Sequence, residues 1–266
     1  MKKSLLIALI ILSACKEKKK TVTTSTDVNK DSIAQIERIE KNLVPVHYLK
    51  GMDHKKSIPQ IMREDDIAGV NIAFFDNGKI SWQKTYGYSN LSDSIKVTPN
   101  TVFNGASLSK PVTALAALNL VEKGVLSLNA DVNKYLEGWK IPENEFTEQE
   151  KVTLKRLIGH RAGFERYVQS SYFPNEEFPT ITQMLTGEKP SVDPPVSVVY
   201  VPGQKQVYSN PGYSVIEKLI EDVTDKEFDN VINELIFEPC DMNNSSFKQP
   251  VPKRLLQQMA TGYTND

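Results

Sequence analysis

The chain has 266 residues, of which 39% are hydrophobic and 24% are charged, a composition typical of a globular protein and not of a disordered one. The formal net charge is −1, so the chain has no overall basic field to hold a polyanion, and nucleic acid is not an expected partner. Two cysteines and three histidines are too few for a disulfide-rich scaffold or a structural zinc module, and no metal site is predicted.

The amino terminus combines a basic start, an apolar run over residues 4–12 and small residues before Cys15. The run is far shorter than the roughly 20 residues that cross a bilayer, so it is typical of a signal peptide, residues 1–14. Leu12-Ser13-Ala14-Cys15 resembles a bacterial lipobox, which implies lipidation of Cys15. The alternative is an ordinary secretory signal in which this cysteine is incidental. We therefore expect an exported, lipid-anchored protein in which residues 15–50 form the lipidated cysteine and a tether.

The next features along the chain are two short helices and a hairpin. Isoleucines at three-residue spacing from Ile33 to Ile39 predict one helix, and residues 55–66 predict another. Val70–Phe75 is apolar and β-rich, and Asp76-Asn77-Gly78 is a strong turn signal before a second strand over 79–86. The hairpin lies early in a domain that we expect to span residues 51–266.

The rest of the chain is dominated by helical patterns. Residues 107–123 predict a helix with an apolar stripe that ends at Gly124. Further helices are predicted near residues 153–159, 180–186, 212–223 and 226–237. Cys240 follows the last of these helices, and we interpret it as a buried, inert thiol.

The pattern S-x-x-K occurs four times, and its copies differ in their surroundings. The four copies are Ser13/Lys16, Ser81/Lys84, Ser107/Lys110 and Ser245/Lys248. Only Ser107 opens an apolar helix, where three-residue spacing puts its hydroxyl and the Lys110 amine on one face. A lysine whose neutral form is favoured can take the serine proton, and a helix start favours developing negative charge. The alternative role for Ser107 is that of a helix N-cap.

A second pattern, Tyr208-Ser209-Asn210, precedes another predicted helix. A tyrosine can transfer protons when a neighbouring cation lowers its pKa, and an asparagine can bind an amide. The same Y-x-N spacing recurs at Tyr88 and Tyr263, but only this copy lies between Val201-Pro202-Gly203 and Pro211-Gly212-Tyr213. The alternative is a loop with an ordinary helix cap.

Together these segments resemble the serine β-lactamase-related family, which includes class C β-lactamases, D-Ala-D-Ala carboxypeptidases and related esterases. Thr101–Lys110 resembles the nucleophile region of that family, and four more segments follow in the family's order. These segments are Gly124–Val132, Val152–Phe164, Pro202–Tyr213 and Phe237–Met242. Each match is weak alone, but their order over residues 55–266 makes the set specific.

The resemblance implies a fold and a set of roles. The implied fold is α+β and β-lactamase/DD-peptidase-like, with an antiparallel sheet flanked by helices and a mostly helical subdomain. Ser107 would be the acylated nucleophile, Lys110 would help to deprotonate it, and Tyr208 would be the general base or acid. Asn210 would orient the amide of a small-molecule or peptide substrate, such as a β-lactam, a D-Ala peptide or an ester. No cofactor is implied.

The chain departs from the family pattern in two places. Arg161-Ala162 replaces the usual Thr-Ser after His160, a residue that we expect to fix a turn and not to catalyse. No Lys-x-Gly or His-x-Gly follows Asn210, which implies that the sheet strands carrying the third motif are missing at the carboxyl end. Two hypotheses follow: a serine hydrolase, or a catalytically inactive, truncated relic or cell-envelope binding module of the same fold. The oligomeric state stays open.

Overall fold

The computed structural model contains helices and a small sheet. It describes residues 30–45, 47–165, 169–172 and 176–263. The predicted signal peptide at residues 1–14 and the predicted lipidation site Cys15 lie outside the described residues. The helices are α1 (Lys30–Glu40), α2 (Ile58–Glu64), α3 (Ser109–Glu122), α4 (Glu145–Gln149), α5 (Leu154–Ile158), α6 (Ile181–Thr186), α7 (Pro211–Thr224), α8 (Phe228–Ile232) and α9 (Lys253–Leu256). The strands are β1 (Gly69–Asp76), β2 (Lys79–Asn90) and β3 (Ile95–Lys96).

The predicted hairpin is confirmed, and its turn explains why it forms. Asn77 and Gly78 join β1 to β2 with φ of 48° and 72°, so both take the left-handed backbone conformation that matches the twist of a two-residue hairpin. The sheet order is β1-β2-β3, and β2 pairs antiparallel with β3. A register shift between Tyr88 and Asn90 interrupts that ladder, as in a β-bulge.

The chain divides into two compact units, of which the first holds α1, α2 and the outer half of the hairpin. It comprises the described residues up to Ile67 together with Ile72–Lys84. Trp82 is buried there, stacks on Phe74 with ring centroids 5.4 Å apart, and donates its indole N–H to Gln35 Oε1 over 3.2 Å. This contact holds α1 against the hairpin.

The second unit, Ala68–Asn71 with Thr85–Asp266, contains the main hydrophobic core. Helix α7 lies at its centre and contacts α3, α5, α6 and α8. Val215, Ile216, Leu219 and Ile220 on this helix are fully buried, as its apolar periodicity predicts. The predicted α+β class is therefore confirmed, with the helical core in this unit.

Cys240 corrects one interpretation of the sequence, because its thiol is exposed and not buried. Helix α8 continues as a π-helical stretch, Asn233–Phe237, whose last two residues are the last buried ones in this segment. The chain then turns, with Asp241 in the left-handed region at φ 54°. The turn carries the cysteine past the end of the apolar face and into solvent.

Candidate active site

The candidate nucleophile lies in a single 3₁₀ turn, Ala106–Leu108, that leads directly into α3. Ala106 has a positive φ of 40°, and its N–H donates to Asn104 Oδ1 over 2.8 Å. Ser107 follows with an exposed side chain, and neither the turn nor α3 has a side-chain cap. The alternative of Ser107 as an N-cap is therefore wrong.

The structure brings three of the predicted site residues together around one oxygen atom. Lys110, one helical turn beyond Ser107, donates from Nζ to Ser107 Oγ over 3.2 Å. Tyr208, on the segment before α7, donates its hydroxyl to the same Oγ over 2.7 Å. The serine oxygen thus contacts both a cation and a phenol, although 101 residues separate Ser107 from Tyr208.

The charge of Lys110 controls the acidity of this cluster. The interaction with the Lys110 ammonium, followed by the hydrogen bond to Ser107, lowers the pKa of the Tyr208 phenol below its ordinary value. Lys110 Nζ also lies 4.9 Å from the ring centroid of Tyr208 and 5.6 Å from that of Tyr213, within the range of cation–π attraction. The surroundings therefore acidify the tyrosine.

Two aromatic residues with no predicted catalytic role complete the cluster. The His160 ring lies 4.4 Å from the Tyr208 ring and 5.3 Å from the Tyr213 ring, between centroids. Burial raises the pKa of Tyr213, whose hydroxyl donates to the Ile158 carbonyl over 3.3 Å. Both residues belong to segments that carry the family resemblance, but nothing local in the sequence places them beside Ser107.

Asn210 occupies a different position from the other predicted residues. It is the N-cap residue of α7, yet its side chain makes no capping hydrogen bond. Its Oδ1 is buried and has no hydrogen-bond partner among the described residues. Asn210 is also absent from the described lining of the cavity that holds Ser107. Its substrate-binding role stays a prediction.

The cluster opens into a shallow cavity of about 530 Å³. One wall carries the reactive and aromatic groups, and the other is apolar and formed largely by α3. The residues that line it are Ser107, Lys110, Pro111, Ala114, Leu115, Leu118, Ile158, His160, Tyr208 and Tyr213. The cavity thus brings together a serine hydroxyl, a phenol of lowered pKa and the Lys110 amine, a set of groups that can support acyl transfer to serine.

Comparison with known proteins adds an independent line of observation. The family model described as Beta-lactamase matches residues 54–265. Protein flp of Staphylococcus aureus strain N315 is 29% identical over 204 residues, covering 74% of this chain and 39% of that protein. Teichoic acid D-alanine hydrolase of Staphylococcus aureus is 29% identical over 240 residues, covering 89% of this chain and 53% of that protein.

The solved structure of the octameric penicillin-binding protein homologue from Pyrococcus abyssi has the same fold. The two chains superpose with a TM-score of 0.61 at 28% identity, covering 79% of this chain and 47% of that one. This chain therefore spans about half the length, or less, of the relatives that it matches.

Proposed function

Since the chain belongs to the beta-lactamase family, as its motifs predict, we propose that it is a serine hydrolase that acts through an acyl-enzyme on Ser107. The predicted β-lactamase/DD-peptidase-like fold is confirmed by the same family match and by the structural likeness. One observation carries the proposal: Ser107 Oγ accepts hydrogen bonds from both Lys110 Nζ and the Tyr208 hydroxyl.

In the proposed acylation step, Tyr208 has lost its own proton and acts as a phenolate, so the Ser107 hydroxyl donates across the same 2.7 Å contact and gives up its proton to Tyr208. The serine oxygen then bonds to the substrate carbonyl carbon, and the carbonyl π electrons move onto its oxygen, where the backbone N–H of Ser107 can donate. Collapse of this intermediate breaks the bond to the leaving group, which takes the proton from Tyr208. Lys110 assists the deprotonation of Ser107 by donating from Nζ to Ser107 Oγ over 3.2 Å, and its contact with Tyr208 offsets the negative charge of the phenolate.

Deacylation reverses the direction of proton transfer. Water gives a proton to the Tyr208 phenolate while its oxygen attacks the ester carbon. The ester bond to Ser107 then breaks, the carboxylic acid leaves, and Tyr208 returns its proton to the serine oxygen. The cycle consumes one water molecule and needs no cofactor.

The substrates that we propose are amides or esters with an accessible carbonyl, including β-lactams, D-alanyl peptides and D-alanyl esters. One relative is named a teichoic acid D-alanine hydrolase, and a structural neighbour is named a penicillin-binding protein homologue. These names describe the relatives, and they support an acyl-transfer substrate for this chain because the relatives share its family and fold.

We propose that the protein acts at a bacterial membrane, to which the lipid on Cys15 anchors it. Support comes from the basic start, the apolar run and the lipobox-like Leu12-Ser13-Ala14-Cys15. Across the part of the chain that the structure describes, no helix has the length and apolar character needed to cross a membrane.

A fluorophosphonate probe tests the proposed nucleophile, because it reacts covalently with activated serines. We expect labelling of the purified chain, located at Ser107 by peptide mass spectrometry and lost in Ser107→Ala. Tyr208→Phe, which removes the proposed base, should slow labelling by about 10²–10⁴-fold.

Ser81→Ala is the matched control, because Ser81 begins another S-x-x-K pattern and is exposed on β2. It should be labelled like the wild type. Equal labelling of Ser107→Ala would exclude the assignment. A folded chain that takes up no probe would favour the alternative of an inactive binding module.

A further inference from the structure

The backbone of His160 holds the segment that carries Tyr208. His160 follows α5 and adopts a left-handed conformation at φ 55°, which is unfavourable for a non-glycine residue. Its N–H donates to the Leu157 carbonyl over 3.1 Å, and its own carbonyl accepts the Val207 N–H over 2.8 Å. The second bond fixes the residue immediately before Tyr208.

The side chain of His160 contacts the two residues that follow Val207, namely Tyr208 and Ser209. Its Nδ1 accepts the N–H of Ser209 over 3.2 Å, and its ring packs against the Tyr208 ring. Ser209 is itself buried, and its Oγ accepts the Gly212 N–H over 3.2 Å at the start of α7. A single residue therefore contacts residues 207, 208 and 209 in succession.

This arrangement requires a neutral imidazole. A backbone N–H can only donate, so Nδ1 of His160 must be unprotonated and the ring proton must lie on Nε2. Burial first, and the Lys110 charge second, lower the pKa of His160. An imidazolium would lose the Ser209 bond and bring a second cation close to Lys110.

The groups that face this imidazole come from three directions. Lys110 lies on α3, Tyr208 on the preceding segment and Tyr213 on α7. The neighbouring Arg161 directs its guanidinium elsewhere, donating to the Gly203 carbonyl over 2.6 Å. No carboxylate belongs to the described lining of the cavity, so nothing there stabilises the protonated ring.

We propose that His160 is a positioning residue for Tyr208, whose hydroxyl it holds on Ser107 through its neutral imidazole. Protonation of Nδ1 breaks this support, so the rate of Ser107 acylation falls at acid pH with the titration of His160. The inference rests on the proposed function, since it concerns the base that activates Ser107.

Two substitutions separate the roles of the ring and of its acceptor. His160→Phe keeps a ring but removes the acceptor, and we expect fluorophosphonate acylation to slow about 10–100-fold at every pH, because a displaced base loses alignment. Asn tolerates a left-handed backbone and offers Oδ1 as an acceptor that does not titrate. His160→Asn should therefore recover most of the lost rate, and its pH profile should keep the inflection of Tyr208 but lose the one that follows the titration of His160.

Two NMR measurements test the positioning without relying on activity. The ¹⁵N shifts of His160 should report a proton on Nε2. The ¹³Cζ titration of Tyr208, identified by its absence in Tyr208→Phe, should move in His160→Phe to a higher pKa, because the contacts with Lys110 and Ser107 loosen. His160→Asn should restore the lower pKa.

Several outcomes would overturn the proposal. A proton on Nδ1 contradicts it, as does a Tyr208 titration that is the same in wild type and His160→Phe. A pH profile of His160→Asn that keeps the inflection found at the wild-type titration of His160 contradicts the pH dependence. If His160→Phe fails to fold, the tautomer of His160 in the wild type and the pH profile of His160→Asn still test the proposal. A wild-type chain without labelled Ser107 contradicts the proposed function instead, while the NMR results still decide the positioning.

Discussion

At the residue scale, one strained backbone conformation lies next to Ser107, the proposed nucleophile. Ala106 has a left-handed backbone at φ 40°, and its methyl group offers no hydrogen bond to compensate. The other non-glycine residues with positive φ all carry polar side chains, and Asn, Asp and His tolerate this conformation better than Ala; they are Asp66, Asn77, Ser94, His160, Asp225 and Asp241. Strain of this kind persists where the surrounding structure demands it, and here it sets the direction in which Ser107 leaves the turn.

Ala106→Gly should therefore stabilise the protein. Relief of left-handed strain gains about 1–2 kcal/mol, and the added freedom of glycine in the unfolded chain offsets part of it, leaving about 0.5 kcal/mol. Urea unfolding followed by circular dichroism measures the difference. Ala116→Gly, in the middle of α3 and fully buried, is the control and should destabilise by about 1 kcal/mol or more. A loss of stability in Ala106→Gly as large as that of the control would contradict the strain argument.

At the scale of elements, the site depends on the contact between two segments, one that follows α5 and one that precedes α7. Gly163 has φ 88°, and its carbonyl accepts the N–H groups of Val199 and Tyr200 over 2.9 and 3.1 Å. A Cβ at this position would lie 2.2 Å from the Tyr200 carbonyl oxygen. The close approach of these two segments is therefore possible only with glycine.

Gly163→Ala should destabilise the protein by about 2–4 kcal/mol, because the backbone must move to admit the methyl group and the φ is unfavourable. Gly124→Ala is the matched control: its φ is also positive, 74°, but nothing lies within 4 Å of the added Cβ. It should cost only the strain, about 1 kcal/mol. Denaturation midpoints compare the two variants, and equal losses would show that the close contact is unimportant.

Across the whole molecule, a half-buried carboxylate on α7 couples stability to pH. Glu217 lies on α7 between the fully buried Ile216 and the buried Lys218. Burial, reinforced by the charge of Glu221, raises the pKa of Glu217 to about 7. Lys218 does not compensate, because it pairs with Asp222 one turn further along the helix.

The sign of the effect follows from the raised pKa. Below the unfolded pKa of 4.5 the carboxyl is neutral in both states, and above about 7 folding buries a charge that the unfolded chain keeps in water. Glu217→Gln should therefore increase the free energy of unfolding at pH 8 by about 2 kcal/mol and lose this advantage as the pH falls to 4.5.

Urea titrations at pH 5 and pH 8 measure this dependence. Glu234→Gln is the control with the opposite sign, since the bond to Lys226 lowers the pKa of Glu234 and its loss should not stabilise the fold at pH 8. A Glu217→Gln advantage that is equal at both pH values would contradict the ionisation argument.

The amino-acid sequence by itself determined the local structure and the family. The apolar stripe predicted on α3 is wrong, because Leu115 and Leu118 are exposed and the helix buries a face with Ala116, Ala117 and Leu120 instead. The Asn77-Gly78 turn, the apolar stripe of α7 and the spacing of Ser107 and Lys110 are properties of short segments. Backbone preferences and side-chain periodicity act within a few residues, so these features follow from the sequence directly. The ends of helices and the exposure of the Cys240 thiol were less predictable. A turn or a π-helical stretch changes which side chains face the solvent within one or two residues.

Only the tertiary structure decided which groups meet at Ser107. Tyr208 reaches its oxygen across 101 residues, while His160 packs on Tyr208 and Asn210 stays outside the described lining of the cavity. Such contacts depend on how α3, α5 and α7 pack around one core, and no local pattern records that packing. The sequence supplies the reactive side chains, whereas their distances, and therefore their acidity, arise from the burial and charge that packing imposes.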